Sequence, residues 1–155
     1  MREEDLETVT RMEQVCYSVP WSEATFRGLL RRRDAELLVA ERDGQLIGYA
    51  VFWQVLDQGE LGNVAVEPAH RRHGVARVLV GRVMERAAAR GVRELFLEVR
   101  PSNTGARLLY DSYGFVPVGR RRNYYQAPVE DAVVMRVLLP REPNVWGTHV
   151  PGAEI

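Results

Sequence analysis

The chain has 155 residues, enough for one domain that buries a core without disulfides or structural metal. Its 21 basic residues, all arginine, balance 21 acidic ones, so no global field draws it toward nucleic acid or a membrane surface. The acidic start Met1-Arg2-Glu3-Glu4-Asp5 is the opposite of a secretory leader, and no apolar run approaches the ~20 residues that span a bilayer, so a soluble cytoplasmic protein is expected.

Leu6, Val9, Met12 and Val15–Cys16 recur at three- and four-residue intervals, which predicts a helix over 4–17 with one buried face. Cys16 then reads as a small buried hydrophobe: it is the single cysteine, and no base stands beside it in sequence. Pro20-Trp21-Ser22 is a break followed by a cap, and Ser22 can begin a second helix over 23–33. Asp43-Gly44 turns between two strands, 36–41 and 45–56, and a third strand is predicted over 60–67, closed by Pro68. The longest helix runs 74–90 and stops at Gly91. A strand over 94–99, a helix over 103–113, and strands over 115–121 and 132–138 follow, the last two joined by a polar, aromatic loop. Strand–helix–strand in the middle with hairpins on both sides implies an α/β domain: a mixed, twisted sheet, helices on both faces and a central parallel pair. The segment 140–155, rich in proline and glycine, is expected to be an irregular tail beyond a domain of residues 1–139.

The strand Val64-Ala65-Val66 runs into the turn Arg71-Arg72-His73-Gly74, which opens the longest helix through Val75, Ala76 and Arg77. Unpaired N–H groups and the positive dipole end at a helix start favour an anion, and Gly74 and Ala76 permit close backbone approach. Arginine adds charge suited to phosphate. Taken alone, a solvated basic loop with an ordinary helix start accounts for these residues at least as well. His70, His73 and His149 form no metal set, and no metal is expected.

The pattern Arg71-x-x-Gly74-x-Ala76 after Val64–Val66 resembles the acetyl-CoA motif of the GNAT N-acetyltransferase superfamily, and the element order matches that fold over residues 2 to about 139. More narrowly, Pro20-Trp21-Ser22, Leu97-Glu98-Val99-Arg100, Ser102-Asn103, Leu109-Tyr110, Tyr113-Gly114-Phe115 and Arg121-Arg122-Asn123-Tyr124-Tyr125, in this order, resemble the RimI type, which acetylates the N-terminal alanine of a small-subunit ribosomal protein. The resemblance implies acetyl-CoA as co-substrate, held by Val64, Ala65, Val66, Arg71, Arg72, His73, Gly74, Val75, Ala76, Arg77 and Asn103. It implies Glu98 as general base and Tyr110 as general acid for direct transfer. A backbone N–H within Val64–Val66 would meet the oxyanion if that strand bulges. The chain departs from the family in lacking a short strand before the first helix, which leaves the N-terminal sheet edge truncated or replaced.

The residues also admit plainer readings. Glu98 stands in Leu95-Phe96-Leu97-Glu98-Val99, so apolar that it reads as a strand covered on both faces; where it emerges it could simply pair with an arginine such as Arg100. Tyr110 by composition alone is a core aromatic, and Asn103 a helix cap. Pro20, Trp21, Tyr124 and Tyr125 are expected to shape the acceptor site, with Glu130 and Asp131 attracting basic residues of an incoming peptide; a surface hairpin explains each residue about as well. The partner implied is a protein N-terminus, with no direct nucleic-acid or membrane contact, and the chain a monomer or weak dimer. A lysine, polyamine or small-molecule acceptor, or a coenzyme-binding module without turnover, are the alternatives.

Overall fold

A computed structural model describes residues 1–141. After a single 3-10 turn at Glu3–Asp5, the chain folds in the order α1 (Leu6–Cys16), α2 (Glu23–Leu30), β1 (Ala35–Arg42), β2 (Gln45–Val55), β3 (Gln58–Val66), α3 (Val75–Ala89), β4 (Glu94–Val99), α4 (Thr104–Ser112), β5 (Val116–Tyr125) and β6 (Glu130–Leu138). The six strands form one sheet in the order β1-β2-β3-β4-β6-β5. Only β3 and β4 pair in parallel, joined through α3; every other neighbour is antiparallel. The expected mixed sheet with a central parallel pair is the one found.

Alternation along β2 shows how two helical layers come to be held. Tyr49 and Val51 point into one core with Leu6, Val9 and Met12 of α1 and Phe26 of α2. Ala50 and Phe52 point into the other, with Leu79, Val80, Val83 and Met84 of α3. The second core continues across Leu95, Leu97 and Val99 of β4 and Met135 and Val137 of β6, and α4 packs on it through Leu109, Tyr110 and Tyr113. On the first face, the buried strand residues of this core come only from β1, β2 and β3. The expectation that β4 is covered on both faces is therefore corrected: Leu95, Leu97 and Val99 are buried, whereas Glu94, Phe96 and Glu98 stand half-buried on the side that α1 and α2 do not reach.

Among the described residues no strand precedes α1. The Met1 ammonium instead donates to the Leu37 carbonyl of β1 at 2.9 Å, on the sheet's outer edge. Several element bounds also differ from the sequence reading, among them the second helix, which ends at Leu30 and not at 33, and two strands. β2 and β3 meet in a tight turn at Leu56–Asp57, with Leu56 at φ 57°, so β3 begins at Gln58 and gains its pairing with β4 there. β5 runs on to Tyr125, which pairs with Glu130, and an irregularity between Arg121 and Tyr125, with Asn123 at φ 48°, absorbs what reads in sequence as loop. Apart from Pro140 and Arg141, the expected irregular tail lies outside the described residues.

Candidate active site

The parallel pairing of β3 with β4 covers only Gln58–Glu60 against Glu94–Phe96. Beyond Glu60 the strands part, although β3 continues to Val66 and β4 to Val99. A bulge accompanies the parting: Val51 pairs with Asn63 but Phe52 with Leu61, leaving Gly62 without a partner in β2. The bulge on which the oxyanion expectation depended is thus present, just ahead of Val64. The opened edge of β3 is lined by its own chain. Tyr17 Oη donates to the Val64 carbonyl at 2.8 Å and accepts the Val64 N–H at 3.3 Å. Arg71 Nε donates to the Val66 carbonyl at 3.2 Å, and Arg71 Nη2 reaches Cys16 Sγ at 3.3 Å.

At the end of this edge stands the basic turn. Gly74 takes φ +78° immediately before α3, a conformation that a Cβ would strain, and open space lies where that Cβ would be. α3 has no side-chain cap, and its first turn closes with Val78 N–H on the Gly74 carbonyl at 3.1 Å. The N–H groups of Val75, Ala76 and Arg77 are therefore the helix's unsatisfied donors, beside exposed Arg72 and His73. Arg77 itself turns aside, donating to Ser112 Oγ at 3.0 Å and lying over the Tyr113 ring. Asn103 caps α4, its Oδ1 accepting from Ala106 N–H at 3.2 Å; its amide nitrogen is the part left for a ligand.

On the opposite face the strands form a cleft of about 280 Å³, walled by Trp53, Phe96 and Val134 and carrying Glu60, Glu98 and Arg121. Glu98 pairs with Arg121, Nε to Oε1 3.2 Å, and its side chain is only 10 % exposed. The arginine is not Arg100, which is held by Glu130 and by the Gln126 and Pro128 carbonyls. Burial, together with the charge and a shared hydrogen bond of Glu60, pushes Glu98 from 4.5 up to about 7, against the pull of Arg121. Such a carboxyl is poised to accept a proton near neutrality. Tyr110 packs edge-on to Phe115 at 5.7 Å, and burial raises its phenol to about 12, so it keeps its proton. Among the described residues no hydrogen bond uses the Tyr110 hydroxyl, which leaves it available as a donor.

The residues expected on the acceptor side do not line the cleft themselves; Trp21 and Tyr124 lie beside its lining residues Trp53 and Arg121. The Trp21 ring lies 6.2 Å from that of Trp53, and a Cβ on Gly62 would fall 2.4 Å from the Trp53 ring, so only glycine at the bulge lets that ring cross β3. Trp21 is held through its N–H by Glu13 Oε1 at 2.9 Å; Pro20 beside it is exposed. Glu13 is wholly buried and also accepts from Asn63 Nδ2 at 2.9 Å and from the Tyr49 hydroxyl. Tyr124 and Tyr125 stack edge to face at 5.0 Å, with Arg121 over the first and Arg100 over the second. Glu130 and Asp131, expected to attract basic residues of an incoming peptide, are engaged by the chain's own groups. Glu130 binds Arg100 and the Ser102 N–H and hydroxyl, and Asp131 accepts from Asn123 N–H, so both hold the hairpin.

Sequence reasoning missed Tyr17, Trp53 and Glu60 at this site, and Glu13 as its brace; Arg121 stood within the RimI-like run, but its pairing with Glu98 did not show there. Glu60 left one readable sign: a carboxylate at the start of a strand that goes on into the apolar Val64-Ala65-Val66. Tyr17 left none, because only the packing of α1 against β3 brings it to Val64. Among the described residues there is no group of three or more metal-ligating side chains, and no helix is long and apolar enough to cross a membrane.

Comparison with known proteins places these features in a group. The profile of the Acetyltransferase (GNAT) family matches residues 6–115. The [ribosomal protein bS18]-alanine N-acetyltransferase of Haemophilus ducreyi is 38 % identical over 140 residues, 88 % of this chain and 96 % of that one. The crystal structure of the ribosomal-protein-S18-alanine N-acetyltransferase from Escherichia coli superposes with a TM-score of 0.84 at 33 % identity, covering 95 % of this chain and 96 % of that one. A chain of the NatC complex bound to Gag peptide and CoA superposes with a TM-score of 0.78 at 26 % identity, covering 90 % and 93 %.

Proposed function

Because the chain belongs to the acetyltransferase (GNAT) family, and is an acetyl-CoA-dependent N-acetyltransferase, we propose that its acceptor is the α-amine of a protein beginning with alanine, ribosomal protein bS18. The observation that carries this reading is the meeting of two half-sites at the parting of β3 and β4. An anion-ready helix start and an open strand edge lie on one side, and a proton-accepting carboxyl in an aromatic cleft on the other.

The residues present fit the coenzyme. The donors of Val75, Ala76 and Arg77, with Arg72 and His73 beside them, suit a pyrophosphate. The Val64–Val66 edge suits the amides of an extended pantetheine arm, and the Asn103 amide nitrogen adds a donor. Acetyl-CoA supplies an acyl thioester, activated toward amines. Glu98 accepts one proton from the incoming ammonium, whose reference pKa near ~8 asks little of a base at about 7. The nitrogen lone pair then bonds the carbonyl carbon while the Val64 N–H meets the oxygen that takes up the displaced electrons. Tyr110 gives its proton to sulfur as the carbon–sulfur bond breaks, and the second proton on nitrogen restores the phenol. The sum is one amide, one thiol and one released proton. Trp21, Trp53, Tyr124 and Tyr125 frame the cleft through which a peptide end would enter.

The test is acetyl-CoA turnover, read by mass spectrometry, on two peptides differing in the amine offered. One carries a free N-terminal alanine, the other a blocked N-terminus and an internal lysine. Acetylation of the first alone is expected. Acetylation of the second alone, or of neither while a small amine is acetylated, removes the N-terminal reading.

A further inference from the structure

Tyr17 is not accounted for by the mechanism above, yet its hydroxyl touches the one peptide group that mechanism needs. Both polar groups of Val64 meet it, the carbonyl at 2.8 Å and the N–H at 3.3 Å. In a strand, the N–H and C=O of one residue point to the same side; at Val64 that side is the gap left where β4 has parted from β3. Tyr17 is the first extended residue after α1, at φ −125° and ψ 139°, and its N–H closes the helix on the Glu13 carbonyl at 2.9 Å. Glu13 in turn grips Asn63, the neighbour of Val64. The phenol is therefore positioned by a buried brace that runs from α1 to the bulge.

We propose that Tyr17 is a second hydrogen-bond donor to the thioester oxygen during acyl transfer, acting beside the Val64 N–H. This rests on the reading of Val64 as the oxyanion contact. An oxygen that takes up the Val64 N–H must lie within contact of whatever else is bonded to that N–H, and that neighbour is the Tyr17 hydroxyl. The 3.3 Å contact from nitrogen is the longer of the two and the easier to surrender. The hydroxyl carries one proton, aimed at the Val64 carbonyl at rest; rotation about its C–O bond turns that proton toward the oxygen where negative charge develops. Burial raises the phenol well above its ordinary value, so the proton is present at any working pH. Tyr110 lies in the neighbourhood of Tyr17. The arrangement then has two phenols with divided duties: Tyr17 stabilises oxygen without losing its proton, and Tyr110 yields its proton to sulfur.

The experiment uses the full chain with Tyr17→Phe, which keeps the ring and removes the hydroxyl. Two quantities are read: kcat with the alanine peptide, and the ratio of dissociation constants for acetyl-CoA and S-ethyl-CoA, a thioether without the carbonyl. The proposal expects kcat to fall on the order of 10²-fold, the usual effect of losing one oxyanion donor. It also expects acetyl-CoA to weaken relative to S-ethyl-CoA, since only the former offers an oxygen. Unchanged kcat with tighter binding of both ligands overturns it, because the phenol would then be an occupant that the coenzyme must displace. A fall in kcat with both ligands weakened alike also overturns it, since a brace for β3 behaves that way. A wild-type chain that binds acetyl-CoA but acetylates no amine defeats the underlying reading instead, so the two failures are distinct.

Discussion

Replacing Glu60 by Gln is expected to move the acid limb of the pH–rate profile to lower pH. Glu98 reaches about 7 through burial, the charge of Glu60 and a hydrogen bond with it, opposed by Arg121. Glutamine retains the volume and an acceptor oxygen, adds an N–H donor and removes the like charge. Neighbouring carboxylates raise one another by about a unit or more, so a fall of ~1 unit at Glu98 is a conservative expectation. At pH 6 the ionised fraction of Glu98 would then rise from roughly one-tenth to about one-half, an increase of about 5-fold that vanishes above pH 8. The assay is kcat/KM for the alanine peptide between pH 5.5 and 9, taken as variant over wild type, so that titration of the acceptor amine cancels. Stability supplies an independent readout. A carboxyl raised from 4.5 to about 7 in the folded chain binds a proton that the unfolded chain has already lost, so stability falls as pH rises through that window, by about 3 kcal/mol in all. Glu60→Gln should return about 1 kcal/mol of this at pH 8 and nothing at pH 4. A rate ratio flat across pH, together with a pH-independent difference in unfolding, would refute the coupling of the two carboxyls.

Four further outcomes follow from the same geometry. Glu98→Gln should lower turnover at pH 7 by about 10²–10⁴-fold, with partial recovery at high pH where the amine deprotonates by itself; a profile uniformly depressed at all pH would take the base role from Glu98. Tyr110→Phe keeps the edge contact with Phe115, so melting temperature should hold while turnover falls; unchanged turnover in the same preparation returns Tyr110 to a packing role. Gly74→Val places a β-branched residue at φ +78° in the open space before α3, and calorimetry should show acetyl-CoA binding lost with a stability change of only ~1–2 kcal/mol. Glu13→Ala strands the buried donors of Tyr49 and Asn63 and should cost about 3–5 kcal/mol, seen as a melting temperature lower by roughly 10 °C; a shift of a degree or two would mean that the brace is not energetically coupled.

Much of this architecture can be read from local pattern. The apolar spacing of α1, the Ser22 cap, the Asp43-Gly44 hairpin and the Gly91 stop are each decided within a few residues, so period and turn chemistry suffice. The helix start at Gly74 is legible for the same reason, as its conformation and its unsatisfied donors belong to one short segment. β5 is the opposite case. Nearly every residue of this edge strand is exposed, so no apolar alternation marks it, and its continuation to Tyr125 depends on pairing with β6.

The chemistry divides along the same line. Motif order alone singled out Glu98 and Tyr110; the structure sets Glu98 in the cleft and packs Tyr110 of α4 against Phe115, and nothing adjacent in sequence could reveal those environments. Glu98 reads as a strand residue covered on both faces, whereas α1 and α2 stop short of β4 and leave it in a cleft. Its partner is Arg121, 23 positions away on β5, and its rival carboxyl is Glu60, 38 positions before it on β3. Tyr17 meets Val64 across 47 residues. Residue identity and local spacing thus determine which elements form and which side chains are able to act. Which of them share a proton, a charge or a peptide group is a property of strands brought side by side, because those interactions depend on distances that only chain crossing and packing set.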